Sequence, residues 1–398
     1  GAALFGACAA LVTVSSSAAS LSNDVVKIGV LDDLSGPYSE LQGEGDVVAA
    51  RMAVEDFGGK VLGKPIEVLK GDHLNKVDVG TLIARRWYDT ENVDAIFGLG
   101  NSGVALAVQD ITRQKDRINI VIAAGTPDLT GKSCSPNGVH WTYDNYAIPR
   151  ATALATIKEG GNTWFFITAD YAFGHSLESS TRAVVEANGG KVLGAVRAPI
   201  NTNDFSSFVL QAQSSKAKVI GLANAGTDMT NTVKQLVEFG VPAGGQRIAG
   251  LLVQLTDIHS LGLKTAQGLT FTDTFYWDYN DQTRAFSERF KKIHGKPPTG
   301  MQASTYGAVM HYLKAIKETG TDAAKPVMAK MRETPINDFM TTNGKLRIDG
   351  RVIRDLYLLK AKAPAASKHE WDLLEVVATI KGEDAFRPLK DGGCPLVQ

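Results

Sequence analysis

Val25-Val26-Lys27-Ile28-Gly29-Val30-Leu31 reads as a strand, Leu34-Ser35-Gly36-Pro37-Tyr38 as a turn-rich loop, and Val47, Ala50, Val54 and Phe57 recur at helical spacing. The same order repeats along the chain. Pro65 to Lys70 is a strand, with Val79, Leu82, Ile83 and Trp87 on the helix after it. Asp94-Ala95-Ile96-Phe97-Gly98 is a third strand, followed by Val104, Val108 and Ile111, and Asn119 to Ala123 is a fourth. The pattern restarts at Trp164-Phe165-Phe166-Ile167, then Leu177, Thr181, Val184 and Val185. Lys191 to Val196 precedes Phe205, Phe208, Val209 and Ala212; Lys218-Val219-Ile220-Gly221-Leu222 precedes Val233, Leu236 and Val237. Short strands are expected near Arg247–Leu252 and Gly268–Thr272, long helices over about 283–294 and 301–319, and strands again at Val352–Lys360 and Leu373–Ile380. Strands alternating with helices pair in parallel, and right-handed crossovers place helices on both faces of each sheet. The expected fold is α/β, with two units of similar design and a third block that returns to either.

A chain of 398 residues fits two to three domains at roughly 150 residues each. Lys+Arg and Asp+Glu both number 42, so the net charge is zero and the basic excess of a nucleic-acid protein is absent. After residue 20 no apolar run approaches the roughly 18 residues that span a bilayer. The first residues differ: Ala2 to Val14 is apolar and Ser17-Ala18-Ala19 fits a small-x-small cleavage site. This is the pattern of a secretory signal that lacks its first residues, with a mature start between Ala18 and Asn23. Cys8 lies in a weak lipobox look-alike, but the apolar run continues past it, unlike a lipidated tether. Export permits disulfides. Apart from Cys8 only Cys134 and Cys394 remain, which allows one bridge, the alternative being two buried thiols.

Gly98-Leu99-Gly100-Asn101-Ser102-Gly103 is G-x-G-x-x-G between a strand and a helix, the form of a dinucleotide fingerprint. It falls in the third unit rather than the first, and the stretch about 20 residues on, Ile118 to Ala123, holds no acid for a ribose. The turn still presents free N–H groups, a helix N-terminus and the Ser102 hydroxyl, which suit a carboxylate. The plain alternative is a tight turn with Ser102 as N-cap. Ala124-Gly125-Thr126-Pro127, Asp170-Tyr171-Ala172-Phe173-Gly174 and Asn224-Ala225-Gly226-Thr227-Asp228 also follow strands. Each alone is an ordinary loop. Together, at the carboxyl ends of strands where open α/β sheets bind ligands, they outline a cleft. The seven histidines form no H-E-x-x-H or Cys/His cluster, and G-x-S-x-G and Walker A motifs are absent. No cofactor, metal or catalytic residue is expected.

With these loops in place, the chain resembles the periplasmic solute-binding proteins of ABC importers, specifically the leucine/isoleucine/valine-binding family. The resemblance covers about residues 25–380 and rests on Ile28-Gly29-Val30 with Leu34-Ser35-Gly36-Pro37, the Gly98–Ser102 turn and Ala169–Gly174. Asn203-Asp204-Phe205-Ser206 and Ser304-Thr305-Tyr306-Gly307 add to it. It implies a type I periplasmic binding protein: two Rossmann-like lobes joined by three strands, closing on a ligand. Hinge crossings would fall near Tyr143–Tyr146, Thr272–Phe275 and Ile348–Ile353. Lobe I would take residues 23–144 and 275–350, after the signal remnant at 1–22. Lobe II would take 145–274 and 351–398, with a tail able to return to lobe I.

Carried over residue by residue, the family's carboxylate-binding serine falls on Ser102, beside Asn101. The next threonine falls on Thr126, ambiguous by one against Gly125, and the second-lobe aromatic on Phe173. A family tyrosine is replaced by Ala225, and the acid that holds a ligand ammonium by Leu251 or Leu252. The chain therefore looks most like the subgroup that binds benzoate-like and phenylpropanoid acids. Tyr171 and Phe173 would flank the ring, Asn224 and the Gly226 backbone would contact it, and Tyr146 lies near the hinge. The resemblance implies a monomeric, non-catalytic periplasmic protein that delivers a small aromatic carboxylate to an ABC permease. The alternatives are a branched-chain amino acid ligand, an enzyme of doubly wound fold and a periplasmic sensor subunit.

Overall fold

The computed structural model describes residues 21–397; the signal remnant read at residues 1–19, with Cys8, lies outside them. In the first sheet β1 (Val26–Asp32) stands at the centre, parallel to β3 (Lys64–Asp72) on one side and β4 (Ala95–Gly98) on the other. The order is completed by β2 (Lys60–Val61) beyond β3, and by β5 (Ile118–Val121) and β6 (Gly138–His140) beyond β4. Side chains alternate along β1, as a strand requires. Ile28 and Val30 pack with Val47 and Ala50 of α1 (Gly43–Phe57). Leu31 packs on the other face with Trp87 of α2 (Val77–Asp89) and with Val104 and Val108 of α3 (Ser102–Gln114). Gly29 is required there: a Cβ would sit 2.4 Å from the Trp87 ring.

The second sheet has the order β10-β9-β7-β8, all parallel, from β7 (Thr163–Ala169), β8 (Lys191–Ala198), β9 (Val219–Ala223) and β10 (Arg247–Gly250). Trp164 and Phe166 of β7 share a core with α4 (Ala147–Lys158) and α5 (Ala172–Ala187). Phe165 and Ile167 share another with α6 (Ser206–Ser214) and α7 (Gly226–Glu238). Helix α4 carries no strong periodic signal and contains Pro149 in its first turn, where the missing N–H has no helical partner to lose.

The third block divides. Two short helices, α8 (Leu255–Leu261) and α9 (Leu263–Ala266), lead into β11 (Thr270–Asp273). Helices α10 (Asp281–His294), α11 (Gly300–Thr319) and α12 (Ala324–Glu333) follow, and α11 lies along α1 on the first sheet. The single strand expected over 352–360 is two. β12 (Lys345–Leu346) pairs with β13 (Val352–Ile353) in a hairpin beside the first core, and β14 (Leu356–Ala361) pairs with β11 and β15 (Leu374–Ile380) beside the second. Between them the Arg354 guanidinium is buried against Ser304 and Thr341, so the strand cannot run straight through. The chain thus passes between the two bodies over 141–146, 274–280 and 354–355.

The last residues return to the first body. After α13 (Gly382–Ala385), Arg387 donates to the Pro127 carbonyl at 3.0 Å, and Cys394 is disulfide-bonded to Cys134. The bridge closes a separation of 260 residues, for which chain entropy sets a ceiling of about 5 kcal/mol. Cys394→Ser is expected to lower the melting temperature and to open residues 386–397 to proteolysis while ligand affinity holds. Equal proteolysis of the tail in the oxidised protein and in the Cys394→Ser variant would show that the bridge does not pin it.

Candidate functional site

The carboxyl ends of both sheets face one another across a small, nearly closed cavity of about 10 Å³. Its first-body wall comes from three places. In the loop after β1, Asp33 accepts from Gly36 N at 2.7 Å and from Tyr38 N at 2.9 Å, and Leu41 N and Gln42 N both return to the Tyr38 carbonyl. This winds the loop so that Tyr38, Leu41 and Gln42 all line the cavity. In the turn after β4, Gly98 and Leu99 adopt φ of 92° and 60°. A Cβ at Gly98 would lie 2.2 Å from Asp32 Oδ2, so only glycine fits beside that carboxyl. The turn brings Gly100 to the cavity and starts α3. Ala123, two residues past β5, also lines the cavity, and the buried Tyr143 hydroxyl donates to its carbonyl.

The second body contributes Tyr171, Phe173, Ala225 and Leu252. The Tyr171 and Phe173 rings lie 5.8 Å apart at 34°. The two bodies touch at the rim. Tyr171 Oη donates to Tyr38 Oη at 3.0 Å, and Thr227 N donates to the Pro37 carbonyl at 3.1 Å. Gly226, at φ 59°, lies so close to Pro37 that a Cβ would come within 2.2 Å of its carbonyl oxygen.

The sequence-predicted residues divide accordingly. Tyr171, Phe173 and Ala225 line the cavity. Leu252 does so rather than its neighbour Leu251, which is buried behind it. Asn101 serves the helix instead. Its Oδ1 accepts from Gly103 N and Val104 N and caps α3, so it, not Ser102, is the N-cap. Ser102 is fully buried, and its Oγ accepts from Thr126 N at 3.3 Å; Thr126 Oγ1 in turn accepts from Asp128 N. These two brace the turn from behind and are not on the cavity surface. Asn224 is buried and donates to Thr232 Oγ1, Gly226 forms the rim contact, and half-buried Tyr146 precedes α4 away from the cavity. Sequence reasoning missed Tyr38, Leu41, Gln42, Tyr143 and Met301 as lining residues. The first three had a signal, since their loop also follows a strand of the sheet. Met301 opens α11, far along the chain, and had none.

No acid or base other than tyrosine lines the cavity among the described residues. Carboxyls lie just behind it instead. Asp32 Oδ1 accepts from Gly100 N at 3.1 Å, while Asp32 and Asp46 of α1 are both fully buried side by side. Burial pushes Asp46 up to about 7 and Asp32 well above the ordinary carboxylate range, so the pair keeps a proton near neutral pH. Among the described residues no cluster of His, Cys, Asp or Glu suits a metal, and no helix is long and apolar enough to cross a membrane.

Residues 25–368 match the periplasmic binding protein family. The chain belongs to that family. A crystal structure of a periplasmic binding protein from Burkholderia mallei is 46% identical, with a TM-score of 0.92 over 94% of this chain and 100% of that one. A branched-chain amino acid ABC transporter periplasmic ligand-binding protein from Burkholderia xenovorans is 39% identical, TM-score 0.82, over 93% and 99%. A solute-binding protein of an ABC transporter from R. palustris, in complex with benzoate, shares the fold at 23% identity and TM-score 0.83, over 94% and 100%. This periplasmic binding protein thus has the two-lobed α/β architecture of its relatives.

Two outcomes follow from the site. Both acidic pKa values are raised above the unfolded value of about 3.9, so the folded protein holds more protons than the unfolded chain from about pH 4 to about pH 7. Stability should therefore fall as pH rises through that window. Asp46→Asn should flatten the fall in melting temperature between pH 5 and pH 8. A residual slope is expected from Asp257 and Asp273, which burial pushes to about 8 and about 7. Separately, Tyr171→Phe removes the hydroxyl pair between the lobes and should weaken ligand binding by about 0.5–1.5 kcal/mol, measured by calorimetry.

Proposed function

We propose that this protein is the extracytoplasmic solute-binding component of an ABC importer and captures a small aromatic carboxylate between two closing lobes. One observation carries the ligand class: the cavity lining holds Leu252, which matches the family's ammonium-holding acid, together with Ala225, Tyr38, Tyr171 and Phe173, and no carboxylate. Burying an ammonium without an acidic partner costs several kcal/mol. A flat ring loses nothing there and gains aromatic contacts of about 0.5–1.5 kcal/mol beyond area burial. In this reading the carboxylate lies against the Gly100–Ser102 turn and the start of α3, whose remaining N–H and dipole favour an anion. The rim contacts Tyr38–Tyr171 and Pro37–Thr227 form only when the lobes are together, so a ligand that touches both walls favours the closed form. The protein acts as an exported monomer that delivers its ligand to a membrane permease and performs no catalysis on it.

The name of the Burkholderia xenovorans relative favours the second reading, a branched-chain amino acid. Titration of 4-hydroxybenzoate, a hydroxycinnamate and leucine separates the two. The aromatic acids are expected to bind at least about 100-fold more tightly than leucine, a gap of about 2.7 kcal/mol. Small-angle scattering should show compaction with the acid bound. Tightest binding by leucine would replace the aromatic reading with the amino-acid one.

A further inference from the structure

We propose that Gln42 reads a hydroxyl on the carbon next to the ligand's carboxylate, so that the site selects an aromatic 2-hydroxy acid; this rests on the aromatic-carboxylate reading above. Gln42 is 1% exposed, and neither its Oε1 nor its Nε2 has a hydrogen-bond partner in the protein. Gln42 is one of the residues that line the cavity. The amide lies flat on the turn: a Cβ at Gly100 would fall 1.8 Å from Nε2 and 2.0 Å from Oε1. Gly100 is two residues before Ser102, so the amide and the turn assigned to the carboxylate are neighbours.

The backbone of Gln42 is fixed from three sides. Its N–H donates to the Tyr38 carbonyl at 3.3 Å, and its carbonyl accepts from Asp46 N at 3.3 Å and from Gln302 Nε2 at 3.0 Å. Gln302 is itself held, because its Oε1 accepts from Thr299 N in the capping box that starts α11. The amide is thus placed by the fold while its own two polar atoms are left for something in the cavity. An unpaired buried amide is costly, which makes its preferred partner a source of discrimination.

A side-chain amide offers one donor group and one acceptor side by side. A bare carboxylate satisfies Nε2 and leaves Oε1 unpaired. An ammonium at the neighbouring carbon satisfies Oε1 but meets Leu252 where an acid is needed. A hydroxyl at that carbon donates to Oε1 while the carboxylate accepts from Nε2, so both atoms are paired and no further charge is buried.

Three ligands that differ only at that carbon test this: 3-phenylpropanoate with hydrogen, 3-phenyllactate with hydroxyl and phenylalanine with ammonium. Titrated into the mature protein, phenyllactate is expected to bind about tenfold more tightly than phenylpropanoate, with phenylalanine weakest. In Gln42→Met the first two should come within about twofold of each other, both bound more weakly than by the unaltered protein because the Nε2 hydrogen bond to the carboxylate is lost. Equal binding of the two acids by the unaltered protein, or the same tenfold ratio in the Gln42→Met variant, would overturn the assignment. The first comparison decides even if the variant fails to fold. If phenylpropanoate and 4-hydroxybenzoate bind but the hydroxyl adds nothing, Gln42 alone is misassigned. If neither acid binds and leucine does, the aromatic reading falls and the role of Gln42 falls with it.

Discussion

The buried carboxyl of Asp32 is the piece on which the site is built. It ends the central strand of the first sheet, receives the Gly100 N–H, and excludes any side chain at Gly98. The turn that carries Gly100, Asn101 and Ser102 therefore has one place to lie. Behind it stands Asp46 of α1, and a proton retained by the pair relieves the repulsion that two buried carboxylates would suffer. One strand end thus sets the position of the α3 N-terminus and, through α1, of the loop that holds Tyr38 and Gln42.

The two bodies are joined by a second small set of contacts. Asn145 lies in the first crossing. Its N–H donates to the Gly125 carbonyl of the first body, and its Nδ2 donates to the Phe173 carbonyl and to Ser176 Oγ of the second. Arg351 is fully buried nearby, donates to the Tyr143 carbonyl, and places its guanidinium 4.7 Å from the Phe386 ring. Burial draws its pKa down to about 10, with Asp144 opposing. These groups lie at the crossings, while away from them the tyrosine pair, the Pro37 contact and Gly300 N, which donates to Gln254 Oε1 at 3.0 Å, also join the two bodies. Buried bonds at the crossings are expected of a hinge, whose opening exposes the cavity.

The cavity is mostly apolar, with a few polar groups and no charged side chain in its lining. Three tyrosines, one glutamine and backbone groups share its wall with leucines, a methionine and a phenylalanine. Such a wall holds a ligand by shape, ring contact and hydrogen-bond pairing rather than by opposed ions. It offers a zwitterion no acid for its positive end. That single chemical difference separates the aromatic reading from the amino-acid one, although the fold serves both kinds of ligand.

The two parallel sheets were legible in the order of residues, because alternating strand and helix signals with short turns admit little else. The sequence allowed one bridge, Cys134 to Cys394, once Cys8 was set aside, but left two buried thiols as the alternative, and it placed Tyr171, Phe173 and Ala225 at strand ends. Helix α4 was hidden by Pro149, whose position in the first turn makes it harmless. The break at Arg354 was hidden because strand propensity is local, whereas the burial of that guanidinium against Ser304 and Thr341 is not. Which polar residues face the cavity depended on long-range packing. Asn101 and Ser102 are consumed by capping and bracing, Leu252 rather than Leu251 lines the cavity, Gln42 comes from the loop after β1, and Met301 arrives from distant α11. Residue type fixes what a side chain is able to bind; the direction it points depends on the packing of chain segments hundreds of residues apart.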